Sequence, residues 1–188
     1  MRPFVLAGLV LALALGLLAP AQAARPIEDY ASYHAPTTCY PKPRPGTKVL
    51  GRWVSRNFGG GYVGTGRACD KDDGPTSEHQ TGQAFDWSAN AAHKRDRKRV
   101  QRLLRTLFAA DAHGNQDAKA RRMGIMYLIW NDRMYPAWRE FRPEPYLSSG
   151  CKSRKRCSKT LRHRDHVHVS LTLKGAKGRT SWYAGRLG

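Results

Sequence analysis

The sequence has few long hydrophobic runs. Its one long apolar stretch is Phe4 to Leu18, in which every residue is apolar or glycine, and this is short for a transmembrane helix, which needs about 20 residues. Arg2 precedes the stretch and Ala21-Gln22-Ala23 follows it, which is the arrangement of a secretory signal peptide. We therefore predict a signal peptide over residues 1–23, an exported chain, and no membrane span once the signal is removed.

Cysteine is scarce, and none of the four cysteines stands in a C-x-x-C pair. That absence argues against a zinc site built from cysteines. An exported chain favours disulfides instead. Four cysteines allow three pairings, and proximity in the chain favours Cys151 with Cys157 and leaves Cys39 with Cys69.

Acidic residues are few. The chain has 14 Asp and Glu against 33 Lys and Arg, and its formal net charge is +19. The cations are concentrated in three runs, which are His93 to Arg105, Arg121-Arg122 and Lys152 to Arg164. Such a field attracts polyanions whatever their sequence, so anionic cell-wall polymers and non-specifically bound nucleic acid are candidate partners. The alternative is that the charge only keeps an exported protein soluble.

The remaining chain reads as one domain. Residues 24–46 are rich in Pro and Tyr and lack periodicity, which predicts an extended arm held by Cys39, and residues 47–188 form the domain. Apolar periodicity and turn residues predict three helices, at Val49 to Phe58, Lys94 to Ala110, and Asn115 to Met123 with Asn115 as its cap. Alternation and apolar runs predict four strands, at Tyr62 to Ala68, Ala84 to Ser88, Ile125 to Trp130 and His166 to Leu173. Pro136 to Arg162 is predicted to be a long loop.

Two motifs carry the chemistry. The segment SEHQTGQAFD runs from Ser77 to Asp86, and Asp165-His166-Val167-His168 follows about eighty residues later. Zinc prefers imidazole and carboxylate ligands, and a catalytic zinc takes three of them so that the fourth position holds water. His79, Asp86 and His168 would supply that set. No G-x-S-x-G elbow surrounds Ser77, so we expect this serine to cap or orient the loop rather than act as a nucleophile.

The second motif lies on a predicted strand. Residues two apart on a strand share a face, so His166 and His168 are expected to point into one cleft while Val167 packs inward. A histidine titrates near neutral pH, which makes His166 a candidate base or proton shuttle. Asp165 is expected to face away from the cleft unless a bulge turns it.

The segment from Ser77 to Asp86 resembles the S-x-H-x-x-G-x-A-x-D signature of the zinc D-alanyl-D-alanine carboxypeptidases, and of the wider group that contains lysostaphin-type enzymes and the hedgehog signalling domain. The resemblance implies a small α+β fold with a central antiparallel sheet and flanking helices. It also implies that His79, Asp86 and His168 bind Zn²⁺. By the same resemblance, Arg67 would pair with a substrate carboxylate or with the developing oxyanion.

One departure from that pattern concerns the base. Carboxypeptidases of the group carry E-x-W-H, whereas the position three before His168 is Asp165 and Val167 replaces the tryptophan. Penicillin-insensitive murein endopeptidases carry H-x-H, which His166 and His168 match. Whether Asp165 or His166 is the base therefore stays open.

A larger part of the chain resembles an uncharacterised family of secreted actinobacterial proteins, which implies no substrate. The pieces that carry this resemblance include Thr76 to His79, Ala84 to Trp87, Asp111 to Asn115, Met123 to Asn131, Asp165 to Ser170 and Thr180 to Trp182.

These observations predict a secreted zinc-dependent hydrolase, extracellular or associated with the cell wall, that acts on peptide bonds of peptidoglycan as a carboxypeptidase or endopeptidase. Three alternatives stay open. A non-catalytic zinc-containing module could bind the wall, and a lectin-like protein could bind glycan if its tryptophans were exposed. A secreted metal-dependent nuclease would need more carboxylates at the site, because magnesium prefers oxygen ligands.

Overall fold

The computed structural model describes residues 27–64, 66–69 and 76–187, so the predicted signal peptide lies outside the described residues. The fold is α+β, as predicted, with a six-stranded antiparallel sheet and, in the described ranges, four helices. The strands are β1 (Tyr62–Val63), β2 (Ala84–Ser88), β3 (Ile125–Trp130), β4 (Arg133–Pro136), β5 (Glu144–Pro145) and β6 (His166–Leu171). The helices are α1 (Pro45–Phe58), α2 (Lys94–Phe108), α3 (Ala118–Arg122) and α4 (Leu173–Ala176).

The strand order in the sheet is β1-β2-β6-β3-β4-β5. The last strand in the chain therefore lies at the centre, between β2 and β3, and each neighbouring pair is antiparallel. This position explains why β6 is buried on both faces, with Val167 at one end of the strand and Ser170 near the other both fully buried. Helices cover one face of the sheet, and the candidate site lies on the other.

The two long helices pack on the covered face. Pro45 stands in the first turn of α1, where its missing N–H costs nothing, and the helix ends at Gly59, whose φ is 74°. Each helix buries one apolar stripe. The stripes are Leu50, Val54 and Phe58 in α1 and Val100, Leu103 and Leu107 in α2. They share one core with sheet residues that include Phe85, Trp87, Leu128, Val167 and Val169.

A smaller apolar cluster lies on the other side of the sheet. Met126, Tyr127 and Ile129 of β3 form it, together with Met134, Trp138 and Tyr146. No helix as long as α1 or α2 covers this cluster in the described part of the chain. The sheet face is therefore open enough there to hold a cavity.

Two predicted elements differ from the observed ones. The strand predicted over Tyr62 to Ala68 is only two residues long, because Gly64 turns the chain with a φ of +48°. Asn115 does not cap a helix: α3 begins at Ala118, and the Asn115 amide donates instead to both carboxylate oxygens of Asp111. The Asp111 carboxylate also accepts from the backbone N–H of Asn115, so this turn uses the side chain that was expected at the cap.

The strand β4 and the end of β6 were also not foreseen. Asn131 and Asp132 form a two-residue turn with φ values of 49° and 63°, and β4 pairs with β3 across it. The predicted loop from Pro136 to Arg162 contains β5 and short 3-10 helices. At the other end of the chain β6 stops at Leu171, because the Thr172 side chain accepts from the Gly175 N–H and starts α4.

Both expected disulfides are present, Cys39–Cys69 and Cys151–Cys157. The first fastens the N-terminal arm, of which residues 27–44 form neither helix nor strand. Tyr30 of the arm donates to Asp117 at 2.6 Å, and Tyr33 contacts Trp138 edge to face with ring centroids 5.6 Å apart. The arm thus packs on the domain along much of its length. Among the described residues no helix is both long and apolar enough to span a membrane.

Candidate metal centre

Three elements bring the predicted ligands together. Asp86 in β2 lies opposite His168 in β6, and cross-strand partners project from the same face of a sheet. His79 lies in the turn that leads into β2, and this turn reverses at Gly82 with a φ of 68°. A side chain at Gly82 would also collide with the carbonyl oxygen of Lys42, so the turn needs glycine.

The ligand atoms form a small triangle. His79 Nε2 lies 3.1 Å from His168 Nδ1 and 3.3 Å from Asp86 Oδ1, and the latter two atoms are 3.2 Å apart. Ligand atoms bound at about 2.0–2.1 Å to a tetrahedral zinc ion are about 3.3 Å from one another. The three side chains therefore have the spacing of one face of a tetrahedral site. This group could hold a metal ion.

Neighbouring side chains orient His168. Its Nε2 lies 2.9 Å from Ser170 Oγ, and the Tyr127 ring stacks on the imidazole with centroids 5.6 Å apart. In a metal-bound form, an Nε2–H donated to Ser170 would leave the Nδ1 lone pair of His168 free for the metal. A second hydrogen bond of this kind fixes the tautomer of a metal-ligating histidine.

The protonation states also suit metal binding. Burial, the largest influence, raises the pKa of Asp86, but hydrogen bonds from His168 and His79 outweigh it and hold that pKa below its ordinary value. Burial lowers the pKa of His168. An ionised carboxylate and a neutral imidazole are the forms that bind a metal.

The three predicted catalytic residues lie around this group. His166 Nε2 is 3.6 Å from Asp86 Oδ1, and His166 Nδ1 is 2.7 Å from Asp165 Oδ1. Thr160 donates to the other Asp165 oxygen at 2.7 Å. Asp165 precedes β6 and is exposed. Its carboxylate is directed at His166 rather than at Asp86, so the two candidate bases form a hydrogen-bonded pair.

Arg67 lies at the edge of the same cavity. Its backbone N–H donates to the carbonyl of His79 at 3.3 Å, and the disulfide from Cys69 to Cys39 holds the neighbouring backbone. The side chain is exposed and has no ion-pair partner in the part of the chain that the structure describes. The guanidinium is therefore free to meet an anionic group in the cavity.

Two residues of the site were missed by sequence reasoning. His163 lies with its ring centroid 4.8 Å from that of His166 and 5.5 Å from that of His168, and burial lowers its pKa to about 3. Glu78 is 5 % exposed, and its Oε1 is buried without a hydrogen-bond partner among the described residues. The spacing H-x-x-H-x-H could have pointed to His163, whereas nothing about Glu78 in the sequence marked it as buried.

A cavity of about 620 Å³ opens over the candidate ligands. His79, Asp86, His168, His166 and Arg67 line it, as do His163 and Glu78. Much of the remaining lining is aromatic, from Tyr33, Tyr127, Trp138 and Tyr146. Tyr33 belongs to the N-terminal arm, so the arm contributes to the site.

Fold and site together define an α+β protein with a candidate metal centre on the open face of its sheet. Residues 40–154 match the family described as VldE, C-terminal domain. Because the match covers more than half of the chain, the chain belongs to that family. The matched range contains His79 and Asp86 and ends before His168. Neither the curated proteins nor the solved structures gave a match.

Proposed function

We propose that this chain is a secreted zinc-dependent hydrolase that cleaves peptide bonds of peptidoglycan. The observation that carries the proposal is the triangle of His79, Asp86 and His168 ligand atoms, 3.1–3.3 Å apart, in a cavity that also holds the His166–Asp165 pair. The resemblance of Ser77 to Asp86 to the zinc D-alanyl-D-alanine peptidase signature supports the choice of reaction. Export is supported by the predicted signal peptide, and the two disulfides are compatible with it.

The donor set suits zinc better than magnesium or calcium. Two imidazole nitrogens and one carboxylate oxygen are typical of a catalytic zinc site, whereas magnesium and calcium prefer oxygen ligands throughout. When bound, zinc supplies a Lewis acid that polarises the scissile carbonyl and lowers the pKa of water to about 7. His79 Nε2, Asp86 Oδ1 and His168 Nδ1 are the atoms that would hold it.

His166 is the proposed proton carrier. Its Nδ1–H donates to Asp165, which leaves Nε2 with the lone pair on the side of Asp86. At Nε2 the imidazole takes the proton of the attacking water and then delivers it to the leaving amine. Asp165 holds the ring and its tautomer and stabilises the imidazolium, and Thr160 in turn holds Asp165.

Arg67 is the proposed binding group for an anion. A guanidinium at the cavity edge pairs with a substrate carboxylate through two parallel hydrogen bonds. Peptidoglycan stem peptides end in carboxylates, and the aromatic lining of the same cavity offers apolar surface for their side chains. This arrangement supports a peptide as the substrate.

The test begins with the metal content of the purified, oxidised protein. We expect about one zinc ion per chain, because the three ligands form one site, in which the fourth position is left for water. The protein is then incubated with purified peptidoglycan, and the products are separated and identified by mass spectrometry. New amine and carboxyl termini on stem peptides are expected.

Matched variants decide between the candidate functions. His79→Ala and Asp86→Ala should lose both zinc and product formation, while His113→Ala, which alters an exposed histidine, should keep both. Zinc retained in both ligand variants would contradict the site. Zinc bound with no product from the unaltered protein would favour a non-catalytic wall-binding module, and DNA cleavage that depends on His79 would favour a nuclease.

A further inference from the structure

A dense group of cations lies on the side of the sheet away from the cavity. Helices α1 and α2 carry ten of the 33 Lys and Arg residues but only one, Asp96, of the 14 acidic residues. Both helices pack on the sheet face that Trp87 and Val167 occupy. The metal centre lies on the opposite face, so the cations of α1 and α2 do not contact a ligand bound in the cavity.

The cations of α2 form a straight row. Arg95, Lys98, Arg102 and Arg105 follow one another at intervals of three and four residues, and all four are exposed. Side chains at these intervals share one face of a helix, and the buried stripe of α2 lies on the opposite face. At 1.5 Å per residue the row is about 15 Å long. A fixed helix thus presents regularly spaced positive charges to solvent.

The charges of this row are not compensated nearby. None of the four has an ion-pair partner within the ranges that the structure describes. Asp96, the acid on the helix, is already engaged by Arg99 at 2.8 Å and by the backbone N–H of Asn90 at 2.9 Å. The positive field of the row is therefore available to a ligand.

The first helix adds further exposed cations on the same side of the sheet. The Arg102 guanidinium lies over the Phe58 ring of α1, 5.7 Å from its centroid. Along α1, Lys48, Arg52 and Arg56 are exposed at four-residue intervals. Both helices thus direct cations away from the same face of the sheet, and these exposed cations are together named here the cationic helix surface, whose residues are Lys48, Arg52, Arg56, Arg95, Lys98, Arg102 and Arg105.

We propose that the cationic helix surface binds a linear phosphodiester polymer of the cell wall. A row of fixed cations complements a single chain of phosphates, and Arg binds phosphate oxygens in pairs. A membrane surface is disfavoured, because none of the large exposed apolar side chains among the described residues lies on α1 or α2, and helices that bind membranes need an apolar face. The predicted export favours a wall polymer over nucleic acid. This inference does not rest on the hydrolase activity.

The experiment compares two variants that lose the same charge. The helix variant carries Arg95→Gln, Lys98→Gln, Arg102→Gln and Arg105→Gln, since glutamine keeps helix propensity. The loop variant carries Lys152→Gln, Arg154→Gln, Lys155→Gln and Arg156→Gln, four exposed residues near the Cys151–Cys157 disulfide. Binding of purified poly(glycerol phosphate) is measured by titration at several salt concentrations. Circular dichroism and the metal content report folding.

The helix variant should bind the polymer at least about tenfold more weakly, and the slope of log K against log salt should become less negative by about 3, as expected for four lost contacts to a single-stranded polyanion. The loop variant should keep most of the affinity. If the helix variant does not fold, the pair Lys98→Gln and Arg105→Gln should remove about half of that slope change.

Three results would overturn the proposal. Equal losses in the two variants would mean that net charge alone drives binding. Tighter binding of single-stranded DNA, lost in the same helix variant, would assign the surface to nucleic acid. Tighter binding to phosphatidylglycerol vesicles would assign it to a membrane.

Discussion

At the scale of the residue, Ser170 has the clearest supporting role at the candidate metal centre. It is fully buried in β6, and its hydroxyl lies 2.9 Å from His168 Nε2. Removing such a partner of a metal-ligating histidine lowers metal affinity by about 10- to 100-fold. We therefore expect Ser170→Ala to weaken zinc binding by that factor in a chelator competition. Ser149→Ala, which alters an exposed serine of the cavity lining, should leave the affinity unchanged.

His166 and Asp165 can be separated by their kinetics. His166→Ala should keep zinc and lose about 10²- to 10⁴-fold in kcat on peptidoglycan peptides, which is typical of a missing acid or base. Asp165→Asn should keep zinc and lose less, because Asp165 only orients His166 through a 2.7 Å hydrogen bond. If Asp165→Asn causes the larger loss with zinc retained, Asp165 is the base and the comparison with E-x-W-H is correct.

His163 should make the stability depend on pH. Burial lowers the pKa of His163 to about 3, whereas an unfolded histidine titrates near about 6.5. Between these values the unfolded chain binds a proton that the folded chain does not, so the free energy of unfolding falls as pH falls through this window. His163→Asn removes the effect and tolerates the φ of 49° at this position.

Urea unfolding with a chelator present measures this difference. Between pH of about 7 and about 4.5, the unaltered protein should lose about 2–3 kcal/mol more unfolding free energy than His163→Asn. An equal loss in both proteins would show that other groups, such as His168 or the carboxylates, cause the acid sensitivity.

The three candidate metal ligands could be predicted because each belongs to a short motif. His79 and Asp86 lie seven residues apart in one segment, and His168 belongs to the H-x-H pair on β6. The residue types and spacing of the two motifs, together with the resemblance to the zinc peptidase signature, predicted that His79, Asp86 and His168 would come together, and the structure brings them together. Glu78 and His163 were not predicted, since their burial arises only when β3, β6 and the chain after Thr160 pack together. The positive φ of His163 depends on tertiary packing and could not be predicted from the local sequence.

At the scale of the element, the strongly periodic segments were predicted well. α1, α2, β2, β3 and the start of β6 follow from their apolar patterns. The β3–β4 hairpin was missed, although two left-handed residues at Asn131 and Asp132 suit its turn. Short strands such as β1 and β5 have too few residues to show an alternating pattern. They form because they pair with a neighbouring strand, β2 and β4 respectively.

The disulfide between the arm and the segment before the metal motif should stabilise the protein more than the other one. Cys39 and Cys69 are 30 residues apart, and Cys151 and Cys157 are 6 apart. On the chain-entropy model the first contributes about 3.5 kcal/mol and the second about 2. Urea unfolding should show this order when each pair is replaced by serine.

Loss of the first disulfide should also affect substrate binding. Cys69 lies two residues after Arg67, whose backbone contacts His79. The variant Cys39→Ser with Cys69→Ser should therefore raise KM for peptides with a free carboxylate more than it lowers kcat. An unchanged KM would argue against a role for Arg67 in substrate binding.

At the scale of the whole molecule, the sheet separates two surfaces. The cavity lies on one face, while α1 and α2 cover the other with most of their charge directed outward. The fields of exposed charges are screened over about 8–10 Å in physiological salt. Binding at the helices should therefore concentrate the protein on the wall without altering the chemistry in the cavity.

This separation can be measured with two substrates. The helix variant should hydrolyse a small soluble stem peptide at the rate of the unaltered protein, because the peptide cannot reach both surfaces. On intact cell walls at low salt it should be slower by about the factor by which wall binding is lost, and the difference should vanish at high salt as phosphate contacts are screened. The loop variant serves as the control, because it loses the same number of exposed cations while leaving α2 unaltered. A helix variant that is slow on the soluble peptide as well would mean that α2 supports the site itself, and that the two faces of the sheet are coupled.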